Sequence, residues 1–275
     1  MKQKLSIITP VYNGEKFIQA CIENVIEQEC PDLEHIILDG CSSDSTVAII
    51  KSYADRYPHI RWTSEKDGGQ SDAMNKGIAI AKGNVIGFLN VDDYYAANVL
   101  NKVKEMFDGL PEPSFLAGNC NVWSNEGKLL HINKPAKLKF HELLLGYDIN
   151  PWPVNPSAYF YHKSLHEEIG LYKVNEHYAL DVDFILRAAQ VANVKYVDEN
   201  WGNYNLLEGT KTASDLKNGA SDRRIRAMLK AYRKDLPWLF RRSFGVYSMF
   251  ARDLPLFIKW VKVVARKHLF NSMDN

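Results

Sequence analysis

Along the first ninety residues the hydrophobic pattern switches between two periods. Short apolar, β-branched runs at 5–11, 35–38, 60–63 and 85–89 are too brief for helices, and each is followed within a few residues by Gly, Asn or Asp. That is the pattern of buried strands. Between them, 15–29 places Phe17, Ile18, Cys21, Ile22, Val25 and Ile26 on one helical face. A second helical face carries Val47, Ile50 and Tyr53, with Asp44 or Ser45 available as its cap, and a third helix is predicted over 71–81. Strands alternating with helices predict a parallel sheet with right-handed crossovers. A dinucleotide-binding fold would need G-x-G-x-x-G after the first strand; the chain has Pro10-Val-Tyr-Asn-Gly14 there.

Downstream the pattern is mixed. An amphipathic helix is predicted over 98–107, one or two strands over 114–123, and a hairpin turn at Asn125-Glu-Gly127 leading into 129–132. The parallel sheet is therefore expected to give way to antiparallel strands. Asn150-Pro-Trp-Pro-Val-Asn-Pro156 reads as a rigid loop, 158–161 as a strand, 180–191 as a helix with Asp181 at its start, and the chain from Asp222 onward as helical and basic.

Composition narrows the function classes. The 275 residues are 46% hydrophobic and 24% charged, ordinary for a globular protein, and a net charge of +1 argues against a nucleic-acid binder. That balance hides a basic tail: 241–275 holds seven Lys or Arg against two Asp, a net +5, leaving −4 for the remainder. Cys21, Cys30, Cys41 and Cys120 show no metal-site spacing, so incidental thiols in a reducing cytoplasm are expected. Pro10 and Asn13 interrupt the first apolar run too early for a signal peptide, and no run of about 18 apolar residues predicts a membrane span.

Candidate chemistry centres on Gly83-Asn-Val-Ile-Gly-Phe-Leu-Asn-Val-Asp-Asp93. Asp92 and Asp93 follow a buried strand directly, and in open α/β sheets ligands collect at the carboxyl ends of strands. Two acids there are costly to bury unless a cation or a hydroxyl-rich ligand meets them. The bland alternative is that they cap the helix starting near Ala96.

Five stretches, in order and spacing over about the first 215 residues, resemble the family 2 glycosyltransferases of GT-A fold. They are Ser6-Ile-Ile-Thr-Pro-Val-Tyr-Asn13, Asp39-Gly-Cys-Ser-Ser-Asp-Ser-Thr46, Asp67-Gly-Gly-Gln-Ser-Asp-Ala-Met-Asn-Lys-Gly77, Gly83 to Asp93, and Ala179-Leu-Asp-Val-Asp-Phe-Ile-Leu-Arg187. The resemblance implies an α/β domain over 1–215 with a mainly parallel central sheet, divided into a nucleotide-sugar half (1–118) and an acceptor half (119–215), then a helical basic extension (216–275). It implies sugar transfer from a nucleotide-diphosphate donor, a UDP-sugar ahead of a GDP-sugar, to a saccharide or lipid-linked saccharide. Thr9, Pro10, Tyr12 and Asp39 would line the base pocket, and Asp67, Gly68 and Gly69 would lie near nucleoside and phosphates. Asp92 would face ribose or sugar hydroxyls, Asp93 would hold Mn²⁺ or Mg²⁺ on the diphosphate, and Asp181 would be the catalytic base of an inverting displacement.

Plainer roles stay open beside these. Asp181 can cap its helix, with Asp183 as a rival base; Asp39 can make an Asx turn; Tyr12 can pack on the sheet edge; and Gly68-Gly69 is an ordinary turn signal. Two positions depart from the family pattern: Leu180 stands where many members have Glu, and Leu207 where many have His. Lost activity in a sugar-nucleotide-binding or scaffolding protein is therefore the alternative reading, and a nucleotidyltransferase a more distant one. In the tail, Leu256, Phe257, Trp260, Val261, Val264 and Leu269 form one apolar face beside Lys259, Lys262, Arg266 and Lys267. Such a helix suits an anionic membrane surface on the cytoplasmic side or packing on protein.

Overall fold

The computed structural model describes residues 4–176, 179–208 and 219–236. Its first half follows the predicted alternation: β1 (Leu5–Val11), α1 (Ile18–Ile26), β2 (Leu33–Asp39), α2 (Thr46–Ala54), β3 (Ile60–Ser64), α3 (Gln70–Ile80) and β4 (Val85–Phe88). The second half adds β5 (Tyr94–Tyr95), α4 (Val99–Asp108), β6 (Ser114–Ser124), β7 (Leu129–Asn133), α5 (Phe140–Leu143) and a 3₁₀ turn (Pro156–Ala158). It continues through β8 (Tyr159–His162), α6 (Leu165–Ile169), α7 (Leu180–Val191), β9 (Asn193–Leu206) and α8 (Ala220–Lys234).

One sheet runs β3-β2-β1-β4-β8-β6-β9-β5, with β7 on β6. Strand β1 lies between β2 and β4, so the order reverses there and leaves a crevice at the strands' carboxyl ends. The two-residue period of β1 sends Ile7 and Ile8 into different cores. Ile7 packs with Cys21, Val25, Val103 and Phe107; Ile8 packs with Met74, Ile78 and Phe184. Each such buried side chain contributes about 1.5–3 kcal/mol.

The sheet is parallel over most of its paired length, with antiparallel pairing at β8, β7 and β5. The pairs β1–β2, β1–β4, β2–β3 and β6–β9 are parallel; β4–β8, β6–β8, β6–β7 and β5–β9 are antiparallel. Strand β8 inserts between β4 and β6 and reverses direction against both. The division expected near residue 118 falls inside β6, which pairs with β9 along most of its length. Strand β9 has no counterpart in the sequence expectation, because its outer half alternates weakly among Lys, Asp, Glu and Asn. Helix α8 starts two residues before Asp222 and buries Met228 and Leu229 in the α7 core. The predicted amphipathic helix of 241–275 lies outside the described residues, and among those described no helix is long and apolar enough to cross a membrane.

Gly202 of β9 sits against the 3₁₀ turn. A Cβ there would lie 2.3 Å from Ser157 Oγ and 3.0 Å from the Ser157 carbonyl carbon. Backbone cannot yield as a side-chain tip can, so Gly202→Ala is expected to destabilise the fold by about 1–3 kcal/mol. Urea unfolding would measure it; a wild-type midpoint would show that the turn is free to shift.

Candidate active site

The donor end is built where β1 and β2 stop. Beyond them two loops are laced together: Asn13 N–H donates to Ser42 Oγ at 2.7 Å, Ser43 N–H to Asn13 Oδ1 at 2.9 Å, and Gly14 N–H to Thr46 Oγ1 at 2.9 Å. Asp44 Oδ1 accepts the Thr46 N–H at 3.0 Å just ahead of α2. Asp39 is 2% exposed; its Oδ2 accepts from Ser64 Oγ at 2.6 Å and Ser42 N–H at 3.1 Å, while its buried Oδ1 has no partner. The Asx-turn role and a buried acceptor without a partner thus coexist in one carboxylate. Gly40 brings three expected donor residues together. A Cβ on it would lie 2.9 Å from Asp67 Oδ2 and 3.5 Å from Tyr12 Cδ2. Tyr12 is 67% exposed, so core packing does not account for it.

Thr9 is a correction. Its side chain is fully buried, with Oγ1 2.9 Å from His35 Nε2, so it braces two strands beneath the turn and does not line the pocket. Pro10 is half-buried at the end of β1. Asp67 Oδ1 accepts the Gly69 N–H at 2.8 Å, and Gly69 has φ +109°, a backbone that favours glycine. Asp72 Oδ2 accepts the Gly68 N–H at 2.9 Å. Helix α3 therefore opens on a turn tied down by two carboxylates.

The acid pair divides its labour. Asp93 is buried, and N–H groups reach both of its oxygens: Asn155 Nδ2 at 2.7 Å and Asn90 Nδ2 at 3.0 Å on Oδ2, and the Asn205 N–H at 3.1 Å on Oδ1. Burial and the neighbouring Asp92 charge push its carboxyl up to about 7. A cation at Asp93 would have to compete with those donors, although Asp93 lines the same cavity as Asp92. Asp92 is the more open member, half-buried. No other residue donates to its carboxylate among the described residues, burial raises its pKa, and it lines a cavity of about 350 Å³ with Phe17, Asn24, Tyr94 and Asn205. Asn205 Nδ2 fixes the Asp92 carbonyl at 2.6 Å.

At the far end, Asp181 lies in the first turn of α7, partly exposed. Tyr159 Oη donates to its Oδ1 at 2.7 Å, and burial raises its pKa. Its rival is otherwise engaged: Asp183 is bound by Lys173 Nζ at 2.6 Å and Arg187 Nε at 2.8 Å. The Ala179 N–H at the start of α7 is met by Glu176 Oε1 at 3.2 Å, not by Asp181. A chain of polar contacts links the start of α3 to the acid pair. Gln70 Nε2 donates to Asn90 Oδ1 at 3.2 Å, Asn90 to Asp93, and Asn155 to Asp93 from the other side.

Comparison with known proteins agrees with this arrangement. Residues 6–170, more than half of the chain, match the family described as Glycosyl transferase family 2. The chain belongs to that family. Over 192 residues this family 2 chain is 32% identical to the uncharacterized glycosyltransferase Rv1514c of Mycobacterium tuberculosis, covering 68% of this chain and 69% of that one. Over 90 residues it is 41% identical to the uncharacterized glycosyltransferase YibD of Escherichia coli, a match spanning 33% of this chain and only 26% of YibD. Among solved structures it is similar to S. aureus TarS 1–349 in complex with UDP-GlcNAc, at TM-score 0.67 and 19% identity over 90% of this chain and 73% of that one. It is also similar to the mannosyltransferase PcManGT from Pyrobaculum calidifontis in complex with GDP-Man and Mn²⁺, at TM-score 0.62 and 17% identity over 90% and 70%. The family 2 fold is thus the GT-A fold that the motifs implied.

Four side chains of this site carry no weight in the sequence expectation: Asn90, Asn155, Asn205 and Tyr159. Asn90 stands in the acidic motif and Asn155 opens the Asn-Pro-Ser turn, where its Oδ1 accepts the Ser157 N–H at 2.9 Å. Each signalled only a local turn. Asn155→Ala would leave a buried Asp93 oxygen short of its nearest donor, at an expected cost of about 1–3 kcal/mol by urea unfolding. An unchanged midpoint would show that Asn90 and Asn205 alone hold the acid.

Proposed function

We propose that this chain is an inverting glycosyltransferase, moving a sugar from a nucleotide-diphosphate donor to a saccharide hydroxyl. Family membership supports the reaction class, and one observation carries the donor assignment: the unpartnered, buried Asp39 Oδ1 beside the exposed Tyr12 ring and Asp67. A buried acceptor without a donor is costly. The ring N–H of a nucleobase would supply the donor while its face stacks on Tyr12. Uracil N3–H fits a single oxygen; guanine offers two donors to the same carboxylate. The UDP-GlcNAc bound to TarS and the GDP-Man bound to PcManGT, both on this fold, support either base.

The acceptor hydroxyl is a weak nucleophile and needs a base within reach, a contribution of about 10²–10⁴-fold. Asp181 is the free carboxylate of α7, with Oδ1 held by Tyr159 and Oδ2 available. Attack from the Asp181 side with departure toward Asp92 is a single displacement and inverts the anomeric carbon. Asp92 suits a hard divalent cation, but no group of three or more His, Cys, Asp or Glu among the described residues would hold one. The protein side therefore supplies one carboxylate, and donor phosphates would complete the shell. When bound, Mn²⁺ or Mg²⁺ would neutralise charge on the departing diphosphate.

A thermal-shift series with UDP, GDP, CMP and dTDP, each in Mn²⁺, Mg²⁺ or EDTA, tests this reading. A ligand at 100 times its Kd stabilises the fold by about 2.7 kcal/mol. UDP or GDP is expected to raise Tm with metal present, and Asp92→Ala to lose the metal-dependent part. No shift with any nucleotide would sink the proposal.

A further inference from the structure

We propose that Tyr159 is the positioning residue of the base: its hydroxyl commits Asp181 Oδ1 and turns Oδ2 toward the acceptor. The inference rests on reading Asp181 as that base. Tyr159 is fully buried, with its ring stacked on Phe115 at 5.2 Å and on Phe184 at 6.4 Å, so the phenol has no freedom to follow a moving partner. Its Oη lies 2.7 Å from Asp181 Oδ1, a short charge-assisted bond. Burial and the Asp181 charge hold the phenol well above its ordinary pKa, so it remains a donor over any working pH.

The surroundings leave that task to Tyr159. The Asp181 charge opposes ionisation of three buried phenols, Tyr159, Tyr161 and Tyr172, of which Tyr159 hydrogen-bonds to it. Tyr161 Oη lies 2.9 Å from His166 Nε2 and is engaged there. Burial lowers the His166 pKa to about 4, so that ring is neutral at working pH. The nearby cations Lys173 and Arg187 are bound to Asp183. Burial opposes ionisation of Asp181, and the Tyr159 hydrogen bond is the contribution that favours it.

Position along the chain adds a second role. Asn155 Nδ2 holds Asp93 at 2.7 Å, and four residues later Tyr159 holds Asp181 at the same distance. Between them lies the 3₁₀ turn that Gly202 lets approach β9. Residues 155–159 therefore act as a gauge setting the spacing between the acid pair and the base.

The test uses the full chain and Tyr159→Phe, which keeps the ring, with Tyr161→Phe as a control that removes a neighbouring phenol. The Asp181 carboxyl is titrated by ¹³C NMR, its resonance assigned by loss in Asp181→Asn, and UDP release from UDP-GlcNAc with Mn²⁺ is followed over pH. In Tyr159→Phe the Asp181 midpoint and the acid limb of kcat are expected to move to higher pH. The value of kcat should fall about tenfold, as for loss of one hydrogen bond to a charged group, with KM for UDP-GlcNAc unchanged. Tyr161→Phe should leave these readouts at wild type. An unmoved Asp181 midpoint in folded Tyr159→Phe overturns the inference, and this titration needs no substrate. Wild-type turnover in Asp181→Asn would instead overturn the base reading, whereas an inactive Asp181→Asn beside a silent Tyr159→Phe overturns only the positioning role.

Discussion

The buried Asp93 carboxylate is the constraint on which the site depends. A charge taken out of water is tolerated only when hydrogen bonds replace the lost hydration. Here the donors come from Asn90 after β4, Asn155 before β8 and the backbone of Asn205 in β9. Satisfying one carboxylate thus ties together three segments far apart in the chain. Asp92 inherits its orientation from this arrangement, since Asn205 also grips its carbonyl. The adjacent acids are unequal partners: both line the cavity, but one is tied by three donors and the other has none from another residue among those described.

The pocket at the other end rests on a different economy. The loops after β1 and β2 bond to each other through Asn13, Ser42, Ser43 and Thr46. Asn13 and Cys41 take left-handed backbone at φ +49° and +63°. Such conformations are unusual for non-glycine residues and are retained here by side-chain bonds across the two loops. The result is a laced rim beside Asp39, whose Oδ2 is satisfied by Ser64 and Ser42 while its buried Oδ1 is left without a partner.

Much of this was legible in the chain. The four parallel strands and three crossover helices follow from periodicity, and α7 appears over the residues expected. Asp39, Tyr12 and Asp67, which stand in three separate motifs, meet around Gly40. What escaped had no local signal. Strand β9 is recognised by its partner β6 rather than by alternation of its own, and Trp201 in it is buried where Gly118 makes room. The division between Asp92 and Asp93 was equally hidden, because adjacent identical residues differ only in which asparagines fold back on them. Thr9 read as a pocket residue from its motif, yet strand alternation turns it inward to His35.

Strand β6 carries one further consequence. Its early residues pair with β8 beside β4, and its later residues pair with β7, while β9 follows its other edge. A single strand therefore joins the two sides of the sheet, and its ladder with β9 shifts register on either side of Asn119. Closing on a donor by swinging one lobe against another would break this ladder, so adaptation to substrates falls to the loops. What those loops present can then vary while this strand keeps the two sides of the sheet joined.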